Sequence, residues 1–322
     1  MKLVEGGQQS PLLRRVAGIR RQLVTELGYL LPPVRVTDNL TLRVGEYVIS
    51  LKGVEIDRYE IPPGSEMAIH SQAGVAAPPE GVPTREPAFR LAAWWIPSHR
   101  AEEARAAGFT VVDPVSVLGT HLAEVVRRNA HELFSRQDAK RYVDRISEEN
   151  PKVVEDLVPK LLPLSTVQRV LQNLLRERVS IRDGVSILEV LGEAALMTRN
   201  AVVLTEFVRQ SIRRTVVRPY LAAGGELAAY FLEPSWERLI EGAVEHGEQT
   251  SQLNLAPQMV RQIVDGIAKV SASSPAPVVV LASSAARYFL RQAADSAGVH
   301  VIVIGHNEIP EGGRVVSLGV IQ

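Results

Sequence analysis

The chain has 322 residues and a mass of 35.2 kDa, length for about two or three ordinary domains. Hydrophobic residues make up 46% and charged residues 22%, which excludes a disordered or fibrous chain, and Lys+Arg and Asp+Glu balance at 36 each, so no global charge argues for wrapping nucleic acid. There are no cysteines, so disulfides, thiolate metal sites and thiol catalysis are excluded.

The first 30 residues carry Arg14, Arg15, Arg20 and Arg21 inside an apolar pattern, unlike the uninterrupted apolar run of a signal peptide. No stretch approaches the ~18–20 apolar residues of a membrane helix, and the chain as it stands reads as soluble and intracellular. Leu12, Leu13, Val16, Ile19, Leu23 and Leu27 recur at helical spacing and predict a helix over 11–28, with Gly28 as its stop. Pro32 and Pro33 force extended backbone into VRVTDNL, where Arg35 and Asp38 are expected to tie a turn. LTLRVGEYVISLKGVEIDRYEI reads as strands broken at Gly45 and Gly53.

Residues 73–87 hold four prolines and two glycines and predict a loop. FRLAAWWI then resumes as a strand. Trp94 and Trp95 point to opposite faces, one into the core and the other expected under a neighbouring domain. Ser98 is the expected cap of HRAEEARAAG and Gly108 its end, and FTVV follows as a short strand. Residues 65–113 thus form a small β-α-β module inserted in the first domain.

From Asp113, which caps a helix with Pro114 at its first position, about a hundred residues read as helical. Ser135 and Asp138 make a capping box, and Asn150-Pro151 starts a further helix. Val167, Val170, Leu171, Leu174 and Leu175 share one face, Asp183 caps GVSILEVL, and NAVVLTEFVRQSIRRTVVRPYL predicts one long helix. Residues 124–218 hold 17 basic and 13 acidic side chains, leaving +4, and the remainder holds 19 and 23, leaving −4. Opposed surfaces of this kind suit a head-to-tail ring, although small differences are usually solvated faces. Only six basic residues are lysine; an arginine excess reflects a GC-rich genome or guanidinium forks at subunit interfaces. Beyond 219 the texture returns to α/β: helices near 234–245 and 256–270, a βαβ unit over 278–304, and a final strand SLGVIQ.

Reactive constellations are missing. There is no phosphate loop, no glycine fingerprint after a strand and no Gly-x-Ser-x-Gly elbow. The seven histidines are scattered: His121 and His131 fall on different helix faces, and His300 and His306, which flank the last clear strand and could approach one another, lack a carboxylate partner. His121 is expected to be hydrogen-bonded or partly buried. Glu102-Glu103 and Glu148-Glu149 read as exposed helix charges. Metal, cofactor and catalysis are therefore not expected, and the rival enzyme reading rests on an anion at the Ser283-Ser284 turn.

LLPPVRVTDNLTLRVGEYVISLKGVEI, EPAFRLAAWWI, GFTVVDPVSVLGTHLAEVVRRNAHELFSRQ and VLQNLLRERVSIRDGVSILEVL together resemble the cytoplasmic region of the flagellar type III export-gate (FHIPEP) family, whose injectisome relative is SctV. The resemblance runs from about residue 11 to 218 and continues more weakly through ARYFLRQ and HNEI to SLGVIQ. The SRQ, EDLVP and IRD versions look flagellar. It implies an α+β multidomain fold. Residues 11–64 and 114–133 would form a discontinuous thioredoxin-like α/β domain, 65–113 an inserted ferredoxin-like or RRM-like domain, 134–213 an all-helical domain and 214–322 a C-terminal α/β domain. Residues 1–10 would be the remnant of a linker to a membrane portion, so that the chain is an excised fragment or a natural soluble paralogue at the cytoplasmic face of the bacterial inner membrane.

The resemblance also implies a non-enzymatic docking platform for flagellar chaperone–substrate complexes and export ATPase components, alongside other export-gate proteins. A nine-membered ring is implied in the assembled gate and a monomer for the isolated fragment, with membrane contact only through the N-terminal portion. Alternatives are the injectisome equivalent, a purely structural ring subunit, or an anion-binding enzyme. Carried over by motif, Glu86 and Phe89 take the acidic and aromatic positions of the D/E-P-A-F element, with Phe89 as anchor and the carboxylate at the rim. Thr120 takes the threonine of T-H-L, and Arg90 stands where the family usually has glycine. Without the resemblance, Phe89 reads as a core strand residue. Arg176, Arg178, Arg182 and Asp183 are helix-end charges or, given the resemblance, inter-subunit ion pairs.

Overall fold

The computed structural model describes residues 10–70, 77–274 and 277–322. Residues 73–76 of the expected Pro/Gly loop lie outside them. Two compact units divide the chain: one of 1–26 and 30–133, the other of 27–29 and 134–322.

In the first unit the amphipathic pattern gives helix α1 (Pro11–Leu27), and the antiparallel hairpin β1 (Glu46–Leu51) and β2 (Val54–Glu60) turns at Lys52-Gly53. Residues 34–36 carry no regular structure, and 40–44 form turns and a bend rather than the expected strand. The turn there is tied by Asn39, whose side-chain oxygen accepts from the Thr41 N–H at 3.0 Å; Arg35 and Asp38 are exposed. A four-stranded antiparallel sheet follows, with β3 (Ser65–Ile69), β4 (Val82–Arg85), β5 (Ala92–Pro97) and β6 (Thr110–Val112) in the order β4-β5-β3-β6.

Alternation along β5 explains the two tryptophans. Trp95 is buried with Met67, Val117 and Leu122, on the face covered by α1 and α3 (Pro114–Arg128). Trp94 lies on the opposite face, edge-on to Phe109 at 5.7 Å, beside helix α2 (Ala101–Ala106). Its cover therefore comes from the same unit rather than from a neighbouring domain. Ser98 does not cap α2 either: its hydroxyl donates to the Gly64 carbonyl at 2.9 Å. Asp113 does cap α3, accepting from Ser116 N–H at 3.0 Å, and α4 (Ala130–Leu133) closes the unit.

The second unit begins with helices α5 (Arg136–Glu149), α6 (Pro151–Leu157), α7 (Leu164–Arg176), α8 (Gly184–Ala194) and α9 (Ala201–Ser211). The Ser135–Asp138 box and the Asp183 cap are formed. The single helix expected over 200–221 is broken: α9 ends at Ser211, α10 (Arg213–Val217) is short, and a 3-10 turn covers Arg218–Tyr220. Beyond the break Val216 and Val217 are buried, and Arg209 is buried within α9.

The rest is an all-parallel sheet of β7 (Glu226–Leu232), β10 (Val278–Ala282), β11 (Val301–Gly305) and β12 (Arg314–Ile321), in the order β11-β10-β7-β12. Helices α11 (Pro234–Gly242), α12 (Pro257–Ser273) and α13 (Ser284–Ser296) bury one face through Trp236, Ile263, Ile267 and Phe289. Strands β8 (Val244–His246) and β9 (Ser251–Leu253) make a small hairpin, to which the N-cap of α9 is tied: Asn200 donates to the Gly247 carbonyl at 2.8 Å. Val279 and Val280 face opposite cores, which is why this strand is an unbroken apolar run. Among the described residues, no helix is long and apolar enough to cross a membrane.

Candidate functional site

The turn between β4 and β5, residues 86–91, is closed by its own backbone. Glu86 N–H donates to the Leu91 carbonyl and Arg90 N–H to the Glu86 carbonyl, both at 2.9 Å. The Glu86 side chain completes it, accepting from Ala88 N–H at 2.9 Å and Phe89 N–H at 2.7 Å. Glu86 is only 4% exposed. Its carboxylate is therefore the internal clamp of the turn, not a group at the rim as the motif implied. A carboxylate that meets two convergent N–H groups replaces its lost hydration with charge-assisted bonds, which is what allows it to bury here.

The clamp leaves Phe89 outside. It is 56% exposed at the tip of the turn, beside Leu91 at 48%, and Val82 of β4 is 62% exposed. Phe89 is therefore not a core strand residue. Arg90 has φ 60°, in the left-handed region where glycine is preferred, and this is the physical reason a glycine fits that position. Sequence reasoning missed Arg85, whose guanidinium donates to the Arg90 carbonyl at 3.0 Å; the available signal was an Arg on each side of the exposed aromatic.

A chain of aromatic and polar contacts runs from this turn to α3. Tyr59 donates to the Arg85 carbonyl at 2.8 Å and lies 3.1 Å from the Thr84 hydroxyl. Its ring lies 6.3 Å from those of Tyr47 and His121. The Tyr47 hydroxyl pairs with Nδ1 of His121 at 2.8 Å. Burial first, and with it the neighbouring Asp57 carboxylate, pushes the Tyr47 phenol well above its ordinary range, so it stays protonated. Nε2 of His121, fully buried as a hydrogen-bonded histidine, lies 3.1 Å from the Asp57 carboxylate but outside hydrogen-bonding geometry. Thr120 precedes it on α3 and is half-buried.

The other singled-out residues lie elsewhere. Arg176, Arg178 and Arg182 are exposed around the end of α7 and the start of α8, and exposed Asp183 caps α8, accepting from Ser186 N–H at 3.3 Å. His300 and His306 sit at opposite ends of β11 and do not converge, and His306 stacks on Phe231 and lies 3.5 Å from Glu237. At the Ser283-Ser284 turn, the Ser283 N–H donates to the Glu237 carboxylate, so the chain's own carboxylate takes the place the rival reading kept for an anion. Among the described residues, no three His, Cys, Asp or Glu are grouped to hold a metal ion.

Sequence reasoning also missed a buried ionic cluster in the second unit. Arg287 of α13 donates to Glu206 of α9 at 2.8 Å and to Glu177, beside α7, at 3.1 Å. Arg209 of α9 donates to Glu177 at 3.1 Å and to Glu308 at 2.9 Å. Burial alone pushes Glu177 up, but the Arg287 and Arg209 guanidinium groups outweigh it and hold the carboxyl down to about 2.

The profile of the FHIPEP family matches residues 1–314. The chain belongs to the FHIPEP family. It is 33% identical over 327 residues to the flagellar biosynthesis protein FlhA of Bacillus subtilis (strain 168), an alignment covering 99% of this chain and 48% of that protein. It is 36% identical to the Yersinia enterocolitica FlhA, over 97% of this chain and 45% of that one. This FHIPEP chain thus spans about half the length of the curated relatives it matches. Among solved structures, Chlamydia pneumoniae CdsV superposes with a TM-score of 0.87 at 25% identity, over 99% of this chain and 92% of that one. A nonameric EPEC SctV-C structure shares the fold, with a TM-score of 0.79 at 20% identity over 99% and 95%. The expected mixed α/β fold is the FHIPEP fold.

Proposed function

We propose that this chain is the cytoplasmic docking platform of a flagellar type III protein export gate, receiving chaperone–export substrate complexes and export ATPase components. One observation carries the reading: Phe89, a large aromatic 56% exposed, stands on a turn locked by the buried Glu86 carboxylate. An exposed aromatic on a locked turn, followed by exposed Leu91, is a ready anchor for the apolar face of a partner helix. Thr120 and Arg90 border it in this proposal, and Glu86 supports it from within. The flagellar relatives, at 33% and 36% identity, favour the flagellar apparatus over the injectisome.

The proposal includes a homo-oligomeric ring, nonameric like the SctV-C structure, in which the exposed Arg176, Arg178 and Arg182 pair with a neighbouring subunit. Asp183 serves as a helix cap and supports that surface. Ring assembly that survives charge reversal at Arg182 would overturn the interface.

The decisive experiment is calorimetric binding of cognate flagellar chaperone–substrate complexes to the chain and to Phe89→Ala. Saturable binding that the substitution abolishes is expected. Binding unaffected by Phe89→Ala moves the site off the β4–β5 turn, and absence of binding to the native chain removes the docking reading.

A further inference from the structure

The β4–β5 turn presents charge of one sign. Residues 82–92, VPTREPAFRLA, contain three charged side chains: Arg85, Glu86 and Arg90. Glu86 is buried and its carboxylate is occupied by the N–H groups of Ala88 and Phe89. Arg85 and Arg90 are exposed, and Arg85 is held in place by its bond to the Arg90 carbonyl. The nearest acids before and after this segment are also engaged: Glu80 pairs with Arg100 at 2.8 Å and Glu102 with Arg105 at 2.5 Å. Within residues 82–92 the exposed charged side chains that accompany Phe89 and Leu91 are thus both guanidinium groups.

We infer that this surface selects an acidic amphipathic segment of a partner protein, whose apolar stripe covers Phe89 and Leu91 while flanking Asp or Glu side chains meet Arg85 and Arg90. The inference rests on the docking reading and adds the charge of what docks. Covering the apolar residues excludes water from beside the guanidinium groups, which strengthens their attraction for carboxylates. Guanidinium forks match carboxylates bidentately, and a basic segment would place like charges against them. The acidic residue of the motif does not counter this, because its charge is directed into the turn.

The test uses the whole chain and two synthetic helical peptides with the same leucine stripe, one flanked by glutamates and one by lysines, followed by fluorescence anisotropy. The acidic peptide is expected to bind more tightly, and less tightly as salt is raised. Arg90→Gly should weaken it about two- to fivefold, the range of an exposed ion pair, and Arg90→Glu should weaken it further while improving the basic peptide. Arg90→Gly relieves a left-handed backbone position, so a loss in that variant cannot be unfolding. Equal affinity for both peptides, or indifference to Arg90→Glu, overturns charge selection while loss of binding in Phe89→Ala leaves docking standing. Binding of neither peptide, or binding that survives Phe89→Ala, removes docking and the inference with it.

Discussion

The carboxylate of Glu86 accepts the backbone N–H of Phe89 at 2.7 Å, so a buried charge holds an exposed aromatic. Glu86→Ala leaves the N–H groups of Ala88 and Phe89 without this partner, and should cost about 1–3 kcal/mol in urea unfolding. The same variant should speed hydrogen exchange at the amides of Ala88 and Phe89. A carboxylate acting only on a partner would change neither.

Arg90 occupies a left-handed backbone conformation at φ 60°. Such a conformation costs a residue with a Cβ about 1–2 kcal/mol, part of which glycine's extra unfolded-state entropy offsets. Arg90→Gly should therefore raise stability by about 0.5–1 kcal/mol in thermal unfolding, and Arg90→Ala should bring no such gain.

Glu177, its side chain 7% exposed, binds both Arg209 and Arg287, which are 2% and 0% exposed. Glu177→Gln leaves two buried guanidinium groups short of a counter-charge and should cost about 3–5 kcal/mol. Removing an exposed carboxylate, as in Glu55→Gln beside Arg58, should shift the midpoint far less, because solvent screens that pair. Urea midpoints of the two variants give the comparison.

The same cluster predicts a pH profile. Burial pushes the Glu206 carboxyl above its ordinary range, and Arg287 offsets only part of that. A raised carboxyl binds its proton more readily in the folded chain. Acidification from neutrality toward the unfolded value of about 4.3 therefore favours folding through Glu206. Glu177, held down to about 2, acts in the opposite sense: its contribution is complete above about 4.3 and is lost as pH falls toward 2. Relative to Glu206→Gln, the native chain should gain stability between about pH 7 and 4.5. A flat difference between the two profiles would refute the assignment.

Gly28 has φ 91°, and a Cβ there would lie 2.4 Å from the Arg182 backbone nitrogen. Gly28→Ala must move backbone rather than a flexible side chain, and should cost more than about 2 kcal/mol by calorimetry. Gly18→Ala, with nothing within 4 Å, is the control expected to stabilise helix α1 by about 0.5–1 kcal/mol.

Much of this was legible in the sequence where the physics is local. Asp113, Ser135 with Asp138, and Asp183 cap their helices because the bond spans three residues and needs no distant partner. The 3.6-residue apolar spacing gave α1 and α7, and an unbroken apolar run gave β10. Ser98 and the stretch 34–36 went the other way for a matching reason. Ser98 bonds instead to the distant Gly64 carbonyl, and alternating residues without a paired neighbour make no strand.

The sequence by itself determined the family, because the motifs that carry it are contiguous, whereas the exposure of Phe89 came from the fold. Only the tertiary structure decided what the charges do. Glu86 in E-P-A-F reads equally as a rim anchor or an inner clamp, until the fold removes water from one side and brings two N–H groups to it. Glu177, Glu206, Arg209, Arg287 and Glu308 look like ordinary helix and loop charges along the chain, and become one cluster when four separate segments bury them together. Desolvation depends on what packs above a group, and no local pattern records that.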